Sequence, residues 1–162
     1  MRDAIVDIKE SELGFSAGHF TIFSATDREP LHGHNYNVSV SFKIKLHHTG
    51  LSFDYRDYKT KLRVLCDKLN MHFLLPQYSP YLKLEENKDM LFAYFDQDKI
   101  PFLKKDVVIL PLSNITIEEL AHWFLQKLLE YEKEIKEDGI EQIILKVHNG
   151  PGHAGAAMWD NN

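Results

Sequence analysis

The sequence lacks the features that define several protein classes. It has a single cysteine, Cys66, so it cannot form an intramolecular disulfide, and we expect a reducing compartment. It has no lysine- or arginine-rich run and a net charge of −5, which argue against nucleic acid as the main partner. No apolar stretch is long enough to span a bilayer, and no signal-peptide pattern is seen at the N-terminus. We therefore expect a cytoplasmic protein with no membrane partner.

The chain also lacks internal repeats, low-complexity tracts and linkers rich in proline or glycine. Its 162 residues are enough for one domain with a substantial hydrophobic core. We therefore predict a single domain over residues 1–162.

Three histidines, His19, His32 and His34, stand in a His-x12-His-Gly-His spacing. Apolar and polar residues alternate over residues 33–46, which predicts a β-strand, and His32 and His34 continue its apolar phase. Residues 13–19 alternate in the same way and end at His19. Residues two apart on a strand share a face, so pairing of these segments would place all three imidazoles on one side of a hairpin.

Three neutral imidazoles with an open fourth position describe a catalytic zinc site, whereas a structural site would need a fourth protein ligand. Any one of these histidines alone would be read as an ordinary hydrogen-bonded residue. Burying all three without a common partner would be costly. The sequence therefore predicts Zn²⁺ bound by His19, His32 and His34, although Ni²⁺, Co²⁺ or Fe²⁺ accept the same ligands.

The remaining pattern predicts two helices and several short strands. Cys66 falls on the apolar stripe of the first helix, which favours a buried side chain over a nucleophile. Thr116 and Glu119 form a capping box at the start of the second helix. Strands paired as hairpins with grouped helices favour the α+β class. The later predicted elements are strands at 81–85, 90–95 and 107–110, a helix from about 114, a solvated helix end at 130–138 and a final strand at 140–149.

Residues 14–19 (GFSAGH), 31–36 (LHGHNY) and 53–59 (FDYRDYK) resemble the 6-pyruvoyltetrahydropterin synthase and 6-carboxytetrahydropterin synthase family. The matching order continues over nearly the whole chain. The resemblance implies the tunnelling fold (T-fold), an antiparallel sheet with two helices packed on one face. It also implies homo-oligomers, in which subunits close into a barrel as trimers and two trimers commonly stack as a hexamer.

The same resemblance implies zinc on His19, His32 and His34 and a small-molecule, pterin-like substrate. That substrate is 7,8-dihydroneopterin triphosphate, which loses triphosphate and is rearranged or cleaved in its side chain. Zinc would act as a Lewis acid on the substrate hydroxyls, a base would remove the adjacent proton, and a second group would complete the proton transfers. A carboxylate would anchor the guanidine-like edge of the pterin.

The chain departs from the family pattern at these other roles. No cysteine precedes His32, but Glu29 matches a subfamily variation in which glutamate replaces the catalytic cysteine. The helper Asp-His pair falls on Asn70 and Met71, and His72 is one residue away. The candidate catalytic residues are therefore Glu29 and His72.

The substrate-binding residues also depart from the family pattern. The pterin-anchoring glutamate falls on Asn149, which we expect on the same strand face as Val147, with His148 facing away. Glu118 is retained before the second helix, and His153 lies in a glycine-rich loop near the expected pocket rim. The candidate substrate-binding residues are therefore Asn149, Glu118 and His153.

Each candidate also has an ordinary interpretation. Glu29 stands in a polar loop and would serve equally as a solvated charge, His72 as a helix-end or surface histidine and His153 as a loop histidine. Three functions therefore stay open: a zinc-dependent lyase of a reduced pterin, a divergent homologue with a binding role or a different small-molecule substrate, and a zinc hydrolase. The metal ligands suit all three functions. Asn70, Met71 and Asn149 argue against the standard reaction, whereas family membership argues for it.

Overall fold

The computed structural model describes residues 1–161 and consists of nine strands and three α-helices within that range. The class is α+β, as predicted. In chain order the elements are β1 (Arg2–His19), β2 (His32–Leu46), α1 (Tyr55–Leu69), β3 (His72–Pro76), β4 (Lys83–Asn87), β5 (Met90–Phe95), β6 (Asp98–Leu103), a 3₁₀ turn (Lys104–Asp106), β7 (Val107–Leu110), α2 (Ile117–Leu129), α3 (Glu132–Glu137), β8 (Ile140–His148) and β9 (Ala154–Asp160).

The strands form two sheets. The main sheet has six strands in the order β7-β3-β1-β2-β8-β9, and the second has three in the order β4-β5-β6. Most of the hydrophobic core lies between the main sheet and the helices. A smaller core, which includes Phe20, Leu75 and Phe95, lies beneath the second sheet. No helix within residues 1–161 is long and apolar enough to cross a bilayer.

The β1–β2 hairpin is the centre of the main sheet, and its alternating sequence explains its burial. Phe15, Ala17, Tyr36 and Val38 are buried on the side of the helices, while their neighbours along each strand are more exposed. Antiparallel pairing runs through the hairpin, with a register shift between Lys9 and Gly14. The predicted hairpin is therefore present, and β1 extends further toward the N-terminus than the alternation indicated.

Helices α1 and α2 both pack against this buried face. Helix α1 begins after Asp54, whose side chain accepts a hydrogen bond from the Arg56 N–H at 3.0 Å. Its buried stripe includes Cys66, as predicted. Helix α2 begins after Thr116, whose hydroxyl accepts from the Glu119 N–H at 3.2 Å, as the capping box predicted.

The resemblance implied an antiparallel sheet, and the structure departs from this at one edge. Strand β3 pairs in parallel with β1, and β7 pairs in parallel with β3. Parallel neighbours require a long connection between them. Helix α1 precedes β3, and the second sheet fills the stretch between β3 and β7, so both connections are long enough.

Three strands, β3, β6 and β9, were not predicted. Strand β6 contains Pro101, which reads as a strand breaker but is tolerated because β6 lies at a sheet edge. Strand β9 is rich in alanine and glycine, which have low strand propensity. Gly155 on β9 is required by packing, because a Cβ there would lie 2.5 Å from the Glu118 nitrogen at the start of α2. The predicted solvated helix end contains the separate helix α3, whose Ile135 is buried.

Candidate metal centre

The three imidazoles of the His-x12-His-Gly-His motif converge at one end of the β1–β2 hairpin. His19 ends β1 and pairs across the hairpin with His32 at the start of β2, and His34 pairs with Ala17. One ligand atom from each imidazole lies within 4.8 Å of the other two. The ring centroids are 4.6, 5.0 and 4.9 Å apart for the three pairs. This cluster can hold one metal ion.

Hydrogen bonds to main-chain carbonyls fix the tautomers of two of these rings. The Nδ1–H of His19 donates to the Ile115 carbonyl at 2.8 Å, and that of His32 donates to the Pro30 carbonyl at 2.7 Å. In the neutral form of each ring, this tautomer leaves Nε2 as the atom that can bind a metal. Within residues 1–161, His19 Nε2 is buried and has no hydrogen-bond partner. A buried acceptor without a partner is rare and costly, and a metal ion would satisfy it.

The surroundings also favour the neutral form of His19 and His34. Burial lowers the pKa of His19 below its ordinary value, and the neighbouring rings lower it further. Burial likewise lowers the pKa of His34, and the nearby His32 ring adds to this effect. A histidine must be neutral to bind a metal, so His19 and His34 are prepared for binding at neutral pH.

Glu29 lies beside the cluster rather than in bulk solvent. Its Oε2 is 3.7 Å from His32 Nε2 and accepts a hydrogen bond of 2.9 Å from the Thr21 N–H. Burial raises the pKa of the Glu29 carboxyl, but the Thr21 hydrogen bonds and the neighbouring imidazoles outweigh burial and bring the pKa below its ordinary value. The side chain is one-third exposed. Glu29 is thus an ionised carboxylate at the edge of a three-histidine centre, in a position to accept a proton.

A family model described as 6-pyruvoyl tetrahydropterin synthase matches residues 9–154 of this chain. The chain belongs to this family. The matched range contains all three histidines and Glu29, so the resemblance inferred from the motifs is confirmed.

Curated relatives and solved structures agree with this assignment. Two provisionally assigned 6-carboxy-5,6,7,8-tetrahydropterin synthases are each 25% identical to the chain. The one from Methanocaldococcus jannaschii aligns over 86% of both chains, and the one from Pyrococcus abyssi over 85% of this chain and 80% of its own. The 6-pyruvoyl tetrahydropterin synthase structure of Plasmodium falciparum is 29% identical, with a TM-score of 0.93 over 99% of this chain and 100% of that one.

The corresponding structure from Plasmodium vivax is 28% identical, with a TM-score of 0.94 and the same coverage. A variant of the Plasmodium vivax enzyme, 27% identical to this chain over the same coverage with a TM-score of 0.93, is described as a catalytic residue mutant in which alanine replaces a glutamate.

His72 lies at the start of β3 and not at a helix end, because Asn70 and Met71 separate it from α1. It is half-buried, and its Nδ1 lies 2.8 Å from the Asn70 carbonyl. An open cleft of about 610 Å³ is lined by both His72 and His34. Met71, beside it, is exposed and adopts a φ of 63°, a left-handed conformation that non-glycine residues seldom adopt.

The three expected substrate-binding residues lie around the β8–β9 turn and the start of α2. Asn149 is half-buried but stands one residue beyond the end of β8, so the predicted strand ended one residue too late. Glu118 is exposed in the first turn of α2, and His153 is exposed just before β9. His148 faces away from buried Val147, as predicted, with its Nε2 3.1 Å from Ser39 Oγ.

Within residues 1–161, the three expected substrate-binding residues make no hydrogen bond or ion pair with the three imidazoles. The hydrogen bonds and ion pairs of these imidazoles involve Ile115, Pro30 and Glu29. The carbonyl of Ile115, two residues before the first residue of α2, nevertheless connects His19 to the region that holds Glu118.

Sequence reasoning missed the residues that support the site. Asn114 binds the loop before Glu29 through two hydrogen bonds: its Oδ1 accepts from the Ile22 N–H at 3.1 Å, and its Nδ2 donates to the Ile22 carbonyl at 2.8 Å. Arg28 contacts the Glu29 carbonyl at 2.9 Å. Asn114 is 92 positions from Ile22, and no local spacing signals such a contact.

Proposed function

We propose that this protein is a zinc-dependent lyase that acts on 7,8-dihydroneopterin triphosphate or a related reduced pterin. The observation that carries the proposal is the position of Glu29, whose carboxylate lies 3.7 Å from His32 in a three-imidazole cluster. Membership of the 6-pyruvoyl tetrahydropterin synthase family supports the class of substrate.

His19, His32 and His34 fit a zinc ion in number and type of ligand. The unpartnered Nε2 of His19 and the tautomers fixed by Ile115 and Pro30 support this metal role. When bound there, zinc supplies Lewis acidity to substrate oxygen atoms. Three protein ligands leave a further coordination position for substrate or water.

Glu29 is proposed as the proton acceptor. Its carboxylate is held by the Thr21 N–H at one oxygen and is ionised at neutral pH, so it can take a proton from a carbon next to the substrate hydroxyls. The Plasmodium vivax variant described as a catalytic residue mutant replaces a glutamate, which supports a catalytic glutamate in a related enzyme. His72, which shares a cleft with His34, is proposed to handle the second proton.

Glu118, Asn149 and His153 are proposed to bind the pterin ring. Glu118 is the only one of the three that is a carboxylate, and a carboxylate can accept two hydrogen bonds from the guanidine-like edge of a pterin. Gly155 packs directly on the first turn of α2, which keeps the β8–β9 turn close to Glu118. The proposal requires that a pterin bound there extend its side chain to the metal centre.

A closed homo-oligomer, either a trimer or a hexamer, is proposed as the working assembly. Strands β7 and β9 are the two edges of the main sheet, and Met158 on β9 is 66% exposed. Closing sheets into a barrel would pair these edges and place the pocket at a subunit boundary. Sedimentation velocity at micromolar concentration tests this, and a stable monomer would contradict it.

A divergent homologue is the second candidate. Asn149, Asn70 and Met71 stand where the family pattern has an anchoring glutamate and an Asp-His pair. A protein with these residues would keep the metal centre and bind a small molecule without performing the standard reaction.

One experiment separates the two candidates. Zinc-loaded protein is incubated with 7,8-dihydroneopterin triphosphate, and products are identified by mass spectrometry. A lyase yields a pterin of altered mass, either by release of triphosphate or by cleavage of a carbon–carbon bond in the side chain, and Glu29→Gln should abolish that product because an amide cannot accept the proton. Glu86→Gln is the matched control, since Glu86 is exposed on β4 and pairs with Lys104 at 2.9 Å. Binding without product formation would favour the divergent homologue.

A further inference from the structure

We infer that Arg28 is a positioning residue that holds Glu29 beside the metal centre. It does so by connecting the peptide group of Glu29 to the second sheet. The inference rests on the proposed role of Glu29 as the proton acceptor. It adds to that role a residue of the loop between β1 and β2 and a partner, Asp98, on a different sheet.

The Arg28 guanidinium is held from three sides. Its Nη1 donates to the Glu29 carbonyl at 2.9 Å, and its Nη2 donates to Asp98 Oδ2 at 2.7 Å at the start of β6. The guanidinium carbon lies 5.2 Å from the ring centroid of Phe20 and 5.7 Å from that of Phe95. These contacts combine cation–π attraction with the fixed directions of a planar donor group.

Stability alone does not require an arginine at this position. The Arg28 side chain is only 18% exposed, and its Nε is buried without a hydrogen-bond partner within residues 1–161. An unpaired buried donor costs stability, and an apolar side chain between two phenyl rings would avoid that cost. The geometry therefore points to a role for this arginine in holding the Glu29 carbonyl and Asp98 in fixed positions.

Hydrogen bonds between two short backbone segments, residues 21–22 and 28–29, connect Arg28 to the Glu29 carboxylate. Ile22 and Arg28 form an isolated antiparallel bridge, the Glu29 N–H donates to the Thr21 carbonyl at 2.9 Å, and the Thr21 N–H donates back to Glu29 Oε2 at 2.9 Å. A shift of the Glu29 peptide would therefore move its carboxylate relative to His32. A misplacement of about 1 Å in a reacting group can cost about 10²-fold in rate.

Hydrogen exchange measures the positioning without any activity assay. The variants are Arg28→Met, which keeps the apolar stem but no donors, and Asp98→Asn, which keeps Arg28 but weakens its partner. Exchange in the peptide spanning residues 20–31 should rise by about tenfold in Arg28→Met, as expected when a hydrogen bond from a charged group is lost.

Exchange in the core of β1 and β2 should not change in either variant. Arg56→Lys is the control, because Arg56 forms an exposed ion pair with Asp54 at the start of α1. Unchanged exchange over residues 20–31 in both variants would overturn the inference, whatever the activity of the protein.

Turnover of 7,8-dihydroneopterin triphosphate provides the second readout. Arg28→Met should lower kcat by about 10- to 100-fold with KM nearly unchanged, because binding groups stay in place while the base moves. Arg28→Lys, which keeps the charge but lacks the fork of donors, should recover only part of kcat. In a Glu29→Gln background, Arg28→Met should have no further effect, since both substitutions act on the same group.

The outcomes separate this inference from the proposed function. If Glu29→Gln retains full turnover, or the unmodified protein has none, the proposed function fails, and the exchange measurement alone decides whether Arg28 positions Glu29. If Glu29→Gln is inactive but Arg28→Met keeps kcat, the inference fails while the proposed function stands. Additive effects of Arg28→Met and Glu29→Gln on a measurable residual rate would also overturn it.

Discussion

The ring of His19 is oriented by a residue distant in sequence, because its Nδ1–H donates a hydrogen bond of 2.8 Å to the main-chain carbonyl of Ile115. Ile115 is fully buried and directly precedes Thr116, the N-cap of α2. The orientation of one imidazole in the cluster is therefore coupled to the segment that begins α2. A main-chain acceptor cannot be removed by substitution, so the coupling has to be tested through the neighbouring side chain of Asn114.

Asn114→Ala should lower both stability and metal affinity. The substitution leaves the Ile22 N–H and carbonyl without their partners, which should cost about 1–3 kcal/mol of unfolding free energy. Disturbing the outer contacts of a ligating histidine typically lowers metal affinity about 10–100-fold. Urea unfolding of the metal-free protein and a competition titration with a chromophoric chelator measure the two effects. Ser113→Ala, at an exposed neighbour, is the control, and unchanged metal affinity would refute the coupling.

His34→Ala should abolish stoichiometric zinc binding while leaving the fold intact. His34 is half-buried, and removing it leaves two imidazoles, fewer than a stable zinc site requires. The unmodified protein should gain about 2.7 kcal/mol of stability when free zinc is at 100 times its dissociation constant, and His34→Ala should lose this gain. Metal analysis of the purified proteins and thermal unfolding with and without chelator test both points. Equal zinc content in the two proteins would rule out this ligand set.

Sequence patterns were sufficient for the parts of the site that lie on regular strands. His19, His32 and His34 converge because a period of two places them on one face, and that period is visible in residues 33–46. The two main helices could also be predicted from the sequence, because the buried stripe that contains Cys66 and the Thr116 cap both depend on local spacing.

The rest of the fold and site depends on contacts between distant segments. Strand β9 forms because it pairs with β8 and packs on α2, although its alanines and glycine have little strand propensity. Arg28 meets Asp98, and Asn114 meets Ile22, across 70 and 92 positions of sequence. Such partners are fixed only when the second sheet and the start of α2 are placed, and no spacing within the loop predicts them.

The metal-free protein should lose stability as the pH falls below about 6.5. Burial depresses the pKa of His19 and of His34 in the folded state from the ordinary value of 6.5, so the unfolded chain takes up protons first as the pH falls. Stability is therefore full above pH 6.5 and declines through the window below it, down to the depressed folded-state values. Urea midpoints between pH 5 and 8 measure this decline.

The decline should be weaker in His19→Gln, which removes the more buried of the two rings. His48→Gln, at an exposed position in the turn that follows β2, should retain the decline of the unmodified protein. Saturating zinc should shift the decline to lower pH, because the metal competes with protons for the same nitrogens. A midpoint that is flat from pH 5 to 8 in the metal-free protein would contradict the prediction.

Asn149→Glu should increase the affinity for reduced pterins by about two orders of magnitude. A carboxylate there would accept two hydrogen bonds from the pterin edge, each worth about 1.5–3 kcal/mol. The Asn149 amide offers only one acceptor oxygen, and its own N–H donors would face the N–H donors of the ring. Calorimetric titration with 7,8-dihydroneopterin measures the change. Asn149→Gln is the matched control, because it has the length of glutamate without its charge, and it should show no gain.

The same titration reveals whether Glu118 already supplies the anchor. Glu118 lies exposed in the first turn of α2, next to the strand that follows Asn149. If Glu118 is the anchor, the unmodified protein binds the pterin at submicromolar concentration, Glu118→Gln weakens binding by about 10- to 100-fold, and Asn149→Glu adds nothing. If the anchor has been lost, binding is weak, Glu118→Gln has little effect, and Asn149→Glu restores affinity. Tight binding that neither substitution changes would place the pterin elsewhere on the protein.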